Sequence, residues 1–98
     1  MIQILRIDTN DDVERSMSVS AKNCESFDCA KKTVLNQINN MFEGEWETLE
    51  EASKELSKDI ECNWSDDKMT FYWNDNGKSE RYIIAEVKTN SSDFQRIG

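Results

Sequence analysis

The stretch MTFYWNDNGKSERYIIAEVKT (residues 69–89) contains two alternating apolar runs with a polar segment between them. Residues 74–77, Asn-Asp-Asn-Gly, form the strongest turn signal in the chain, because Asn and Gly tolerate the left-handed backbone of tight hairpins. The run before the turn places Met69, Phe71 and Trp73 on one face and Thr70 and Tyr72 on the other. The run after the turn places Ile83, Ala85 and Val87 on one face and Tyr82 and Ile84 on the other. The stretch therefore predicts two strands joined by a tight turn.

The N-terminal part of the chain predicts a second hairpin. Residues 2–8 are apolar and β-branched, and the polar cluster at residues 9–12 is typical of a turn. Residues 13–21 then alternate between apolar and polar side chains, which is the period of a half-buried strand. A short strand at residues 61–65, with Cys62 and Trp64 on one face, brings the predicted number of strands to five.

Two amphipathic helices are predicted between these groups of strands. Ser26 is a favourable N-cap for the first helix, and Gly44 is placed to end it. Thr48 and Glu51 have the spacing of a capping box, with Thr48 as the N-cap of the second helix. Apolar residues recur at helical spacing in both segments: Phe27, Ala30, Val34, Ile38 and Met41 in the first, and Leu49, Ala52, Leu56 and Ile60 in the second.

This element order predicts the α+β class, with an antiparallel sheet in chain order β-β-α-α-β-β-β and the two helices packed on one face. A chain of 98 residues has room for one core, and we expect a single domain over residues 1–90 and a polar C-terminal tail over residues 91–98. The strand residues expected to meet the helices are Met17, Val19, Phe71, Trp73, Ile83, Ala85 and Val87.

The net charge of −8 is concentrated in one part of the chain. Residues 43–61 hold eight acidic residues against two lysines, whereas acids and bases are nearly balanced elsewhere. Such a surface repels nucleic acid and anionic membranes and attracts basic protein surfaces. We therefore expect no direct binding of nucleic acid, no association with a membrane, and a basic protein partner.

Several functional classes are disfavoured by the residues that are present. The chain contains no histidine, which excludes a histidine base, a serine–histidine triad and histidine metal ligands. The odd set Cys24, Cys29 and Cys62 does not match a disulfide framework or a zinc site and indicates reduced thiols in a cytoplasmic protein, in a bacterial cytosol or a phage-infected host cell. We expect no cofactor, no metal and no enzymatic activity.

An acidic segment surrounds a tryptophan at the junction of the two predicted helices. Trp46 can either fold back and close the core over the turn, or act as an aromatic anchor inside a ring of carboxylates, where tryptophan is a common hot spot. For the second interpretation, the predicted partner-binding residues are Glu43, Glu45, Trp46, Glu47, Glu50, Glu51 and Glu55.

The sheet face away from the helices is a second candidate surface. Apolar side chains expected on this open face are Tyr72, Tyr82 and Ile84, with Glu80 and Glu86 among the residues at the rim. An apolar patch of this kind often marks a partner or dimer site, so a homodimer is one hypothesis. Cover by the tail, through Phe94 and Ile97, is the other.

In size and acidity the chain resembles small phage-encoded inhibitors, among them anti-CRISPR proteins and DNA mimics, and also bacterial immunity proteins. The likeness is one of composition and covers no specific residues. It implies a small acidic module that inhibits a basic, nucleic-acid-handling protein by surface occlusion, as in phage anti-defence or host takeover. The alternatives are an immunity protein or antitoxin that neutralises a toxin, and an oligomeric structural or assembly protein.

Overall fold

The turn at Asn76 and Gly77 sets the register of the last two strands. In the computed structural model, which describes residues 1–10 and 16–87, β4 (Thr70–Asp75) and β5 (Lys78–Glu86) pair antiparallel with Asp75 opposite Lys78. The two loop residues both have positive φ, 53° at Asn76 and 89° at Gly77, as a two-residue hairpin turn requires. This register places Tyr82 opposite Phe71 and Glu80 opposite Trp73.

The described residues form the α+β fold that the element order predicts. The other elements are β1 (Ile2–Asn10), β2 (Ser16–Cys24), α1 (Phe27–Phe42), α2 (Leu49–Leu56) and β3 (Glu61–Ser65). Five antiparallel strands lie in the spatial order β2-β1-β5-β4-β3, so β1 and β5 pair across the length of the chain rather than in chain order. None of the described helices is long and apolar enough to cross a membrane.

One face of the sheet contributes to the hydrophobic core, and we call it the core face. Its buried apolar residues are Ile2, Ile4, Phe71, Trp73, Tyr82 and Ile84. They form one cluster with Ala30, Val34 and Ile38 of α1 and with Leu49, Ala52 and Leu56 of α2. Burying a large apolar side chain in this way contributes about 1.5–3 kcal/mol each to the free energy of folding.

Several strand residues expected in the core lie on the other side of the sheet. Ile83 and Ala85 alternate with the buried Tyr82 and Ile84, and they point away from the core cluster, as does Val87, which is 38% exposed. The prediction for β5 is therefore wrong. It failed because β5 is apolar on both faces, so the alternation alone does not choose between them, whereas the two-residue turn does.

The expected facing of β2 is also wrong. Val19 lies opposite Ile7, whereas the buried Ile4 lies opposite Lys22. Met17 and Val19 consequently lie on the face opposite the core, where they are 68% and 56% exposed. The reason is that β1 buries Ile2 and Ile4, and pairing with β1 directs the polar side of β2 toward the core face.

Both helices begin at the predicted residues. The Ser26 side chain accepts a hydrogen bond from the Cys29 N–H at 3.1 Å, and the Thr48 side chain accepts one from the Glu51 N–H at 3.1 Å. The first helix ends at Phe42, followed by Glu43 in the left-handed conformation. Residues 91–98, expected to be a polar tail, lie outside the described residues.

Thr48→Ala should lower the free energy of unfolding by about 0.5–2 kcal/mol, because it removes the acceptor for the Glu51 N–H. In a domain of this size the melting temperature falls by roughly 4–8 °C for each kcal/mol. Thr48→Ser retains a hydroxyl acceptor and should melt close to wild type. Identical melting curves for the alanine variant and wild type would contradict the assignment of Thr48 as the helix cap.

Candidate functional site

The junction between the helices is a fixed loop closed by Trp46. The Asn39 side chain donates to the Trp46 carbonyl at 3.0 Å and accepts from the Trp46 N–H at 3.1 Å. The indole lies against Gly44, where a Cβ atom would come within 2.3 Å of a ring carbon. The ring is half-buried and packs against the core cluster. Trp46 thus has the contacts of a residue that closes the core over the turn.

The six glutamates predicted to bind a partner are all exposed, and we call them the acidic surface: Glu43, Glu45, Glu47, Glu50, Glu51 and Glu55. Glu50 pairs with Lys54 at 3.3 Å and Glu55 with Lys58 at 3.4 Å. Exposed pairs of this kind contribute only about 0–1 kcal/mol. The other four carboxylates form no ion pair with any residue in the described part of the chain.

A surface cavity of about 380 Å³ adjoins the acidic surface. Its apolar lining is Leu35, Leu49 and the half-buried Trp64, and we call it the Trp64 cavity. Its charged lining comprises Asp28, Lys31, Lys32, Glu47, Glu50 and Asp66. Four carboxylates against two lysines make this lining negative on balance.

The Trp64 ring already contacts a cation of the same chain. The Lys31 ammonium nitrogen lies 6.0 Å from the ring centroid, at the limit of a cation–π contact. The indole N–H donates to Asp66 at 2.9 Å, which fixes the ring at the edge of the cavity. Sequence reasoning did not select Trp64 as a functional residue, because a tryptophan on an alternating strand is typical of a core position.

A charged network lies on the core face, where the sequence predicted none. Glu80 is 7% exposed, and one of its oxygens accepts from the Trp73 indole at 3.1 Å and from the Tyr82 hydroxyl at 2.5 Å. Its other oxygen accepts from Arg6, which also bonds to Asp8 at 3.0 Å. The prediction that Glu80 lies at the rim of the open face is wrong, because the turn register turns it inward opposite Trp73.

This network affects how its members ionise. Burial, together with the hydrogen bond to Glu80, raises the pKa of Tyr82 far above its ordinary value, so its hydroxyl remains a donor. Burial alone would lower the pKa of Arg6, but its bonds to Glu80 and Asp8 outweigh that effect and raise it. The network is thus a neutral phenol and a guanidinium arranged around one buried carboxylate.

The residues predicted on the open face are divided between the two faces. Tyr72 lies opposite Arg81 on the face away from the core, and the guanidinium carbon is 4.5 Å from the Tyr72 ring centroid. Tyr82 and Ile84 are each 3% exposed and belong to the core cluster, so their assignment to an open interface is wrong. The reason is the same register, which pairs Tyr82 with Phe71.

All three cysteines are free thiols. Cys29 is exposed, whereas Cys24 and Cys62 are half-buried beside the core cluster. Burial raises the pKa of Cys62 to about 11, which outweighs a backbone hydrogen bond that lowers it. At neutral pH the Cys62 thiol is therefore protonated and a poor nucleophile.

Glu80→Ala should lower the free energy of unfolding by about 1–3 kcal/mol for each of the two buried donors, Trp73 and Tyr82, that it leaves without an acceptor. Arg6 loses one of its two carboxylate partners and keeps Asp8. Glu86→Ala is the matched control, since Glu86 is an exposed glutamate of the same strand. Chemical denaturation of both variants checks the difference. A Glu80→Ala variant as stable as Glu86→Ala would contradict a structural role for the network.

The comparisons with known proteins return nothing similar to this chain. No family model matches it, and no curated protein and no solved structure matches it.

Proposed function

We propose that this protein is a small acidic binding module that inhibits a basic, nucleic-acid-handling protein by covering its surface. A phage-encoded inhibitor of a host defence or host enzyme, acting in the cytoplasm of the infected cell, fits this description. The observation that carries the proposal is the acidic surface itself, six exposed glutamates of which four form no ion pair in the described part of the chain. The function proposed requires no catalytic group and no cofactor.

Charge supports this proposal through the rate of encounter. A carboxylate that forms no ion pair keeps its negative electrostatic field in the surrounding solvent. This field attracts a positively charged partner. Electrostatic steering of this kind raises association rates above those of neutral surfaces and is weakened by salt. Proteins that bind nucleic acid through arginine- and lysine-rich surfaces have the charge that complements the acidic surface.

The Trp64 cavity supplies a place for one side chain of the partner. Its negative lining and its aromatic wall suit an arginine or lysine, whose aliphatic stem can lie on the ring while its charge meets Glu47, Glu50 or Asp66. The anchor on this side of the interface is thus Trp64. Trp46 holds the loop that carries Glu45 and Glu47.

A fixed scaffold also favours binding. The Thr48 cap and the two Asn39–Trp46 hydrogen bonds hold the acidic loop in one conformation, and this reduces the entropy lost on association. We include in the proposal that both helices lie against the core face, as their shared core cluster indicates. The acidic surface and the opposite sheet face would then be on two sides of the molecule.

A bacterial immunity protein or antitoxin is the alternative, because a toxin that cleaves nucleic acid also presents a basic surface. The same glutamates and the same cavity would serve that function. The identity of the captured partner separates the two: a toxin encoded beside this chain indicates an immunity protein, and a host enzyme or defence protein indicates an inhibitor.

Reversal of Glu43, Glu47 and Glu51 to Lys should slow association with the basic protein captured from bacterial lysate by at least about tenfold. The matched control reverses Glu25, Glu61 and Glu86, which are also exposed, lie outside the acidic surface and change the net charge by the same amount. Surface plasmon resonance at several salt concentrations measures both. Equal slowing in the two triple variants would show an effect of net charge alone and would contradict a localised acidic site.

Trp64→Ala and Trp46→Ala should have different effects. Removing Trp64 takes away the wall of the cavity, so dissociation of the captured partner should be faster by about tenfold or more. Both indoles pack against the core cluster, so both variants should melt at a lower temperature. Removing Trp46, which lies against Gly44, should have this effect alone and leave the dissociation rate close to wild type. Dissociation kinetics and a melting curve for each variant check this. A Trp64→Ala variant with wild-type dissociation would exclude the cavity from the interface.

A further inference from the structure

The sheet face opposite the core is apolar and exposed. Strands β2, β1 and β5 lie side by side and are each nine residues long. The apolar residues that point away from the core on and beside these strands include Leu5, Ile7, Met17, Val19, Ile83 and Val87, and we call their surface the apolar face. Three of the five large hydrophobic residues that are most exposed lie on it: Met17, Val19 and Val87. Exposed apolar side chains grouped on one face of a sheet are typical of an interface.

The apolar face has almost no charge, although a third of the chain's residues are charged. On the three long strands, Arg81 is the one charged residue that points to this side within the described residues, and it stacks on Tyr72. A strongly charged partner would gain little here. The surface that best complements an apolar sheet face with so little charge is another one of the same kind.

We propose that a second copy of this chain packs on the apolar face, so that two sheets meet face to face in a two-fold symmetric dimer. Sheets packed in this way interdigitate the side chains of both inner faces. A two-fold axis also places the same residues on both sides of the contact, so that Val19 and Ile83 of each copy are buried together.

The available area is sufficient for a stable dimer. Nine residues of a strand span about 30 Å, and three strands span about 14 Å, so the long strands offer about 400 Å². The shorter strands β3 and β4 continue this side of the sheet as a mostly polar rim that includes Tyr72 and Glu61, and they add about 180 Å² at the same spacings. Two such faces bury about 1,200 Å² in total, which reaches the range of specific interfaces.

The charge of the chain does not oppose this contact. With the helices on the core face, the acidic surfaces of the two copies point outward from opposite ends of the dimer. Three layer spacings of about 10 Å separate them, and the screening length near physiological salt is about 8 Å. Repulsion between two copies of net charge −8 is therefore small in this arrangement, whereas contact through the helices would bring the acids together.

Sedimentation equilibrium of the full chain tests the proposal, and we expect a species of twice 11.4 kDa. Val19→Glu and Ala85→Glu should each raise the dimer dissociation constant by about a hundredfold or more, because a symmetric contact then buries two charges. Both positions are exposed in the monomer, so the fold should tolerate the change. Ser20→Glu is the matched control, since it adds the same charge to the other face of β2, and it should remain dimeric.

Three results would overturn the proposal. The first is a wild-type protein that is monomeric at every concentration. The second is a dimer that Ser20→Glu and Val19→Glu weaken equally and that Ala85→Glu leaves intact. This result would indicate that two copies pair through the edge of β2. The third is a monomer that dimerises on Phe94→Glu, which would assign the apolar face to the C-terminal segment that holds Phe94 and Ile97, outside the described residues.

Discussion

The two-residue turn at Asn76 and Gly77 determines which side of the sheet becomes the core. With Asp75 opposite Lys78, every second residue of β5 is assigned to the face that Phe71 and Trp73 already occupy. A slip of one residue would exchange the two faces of β5. Tyr82 and Glu80 would then lose their partners, and β1, which pairs with β5 along its full length, would lose its register with the core. The positive φ at both loop residues excludes most other side chains from this turn.

The Glu80 network makes the same register more specific. A buried carboxylate is tolerated only where hydrogen bonds replace the water that it has lost, and here Arg6, Trp73 and Tyr82 supply them from three different strands. Tyr82 lies on the same strand as Glu80, whereas Arg6 and Trp73 reach this acid through the register of β1 and β4 with β5. The network therefore raises the free energy of alternative registers. An apolar residue at position 80 would do so less, because an apolar side chain can pack against other neighbours.

Local signals in the sequence were sufficient to predict the helices and strands. They were insufficient to predict which face of each strand is buried. Ser26 and Thr48 mark the helix starts, because a cap is a contact between residues three positions apart. The facing of Val19 and Ile83 depends on pairing between distant strands, and both β1 and β5 are apolar on both sides. The Asn-Gly turn was sufficient to predict that Ile83 points away from the core. No local signal predicted the same orientation for Val19. At the candidate site, the exposed glutamates followed from charge patterning, whereas the Trp64 cavity arises where two helices and a strand meet.

The left-handed backbone at Glu43 has a consequence for how this molecule could change over time. A glutamate with φ near 53° occupies a conformation that glycine or asparagine adopts at lower cost, by about 1 kcal/mol. Replacement by glycine would therefore stabilise the end of the first helix while it removes one of the unpaired carboxylates. Under the proposed function, selection for stability and selection for binding act in opposite directions at this single position. If binding to the partner were no longer under selection, Glu43 should be among the first acidic residues to be replaced.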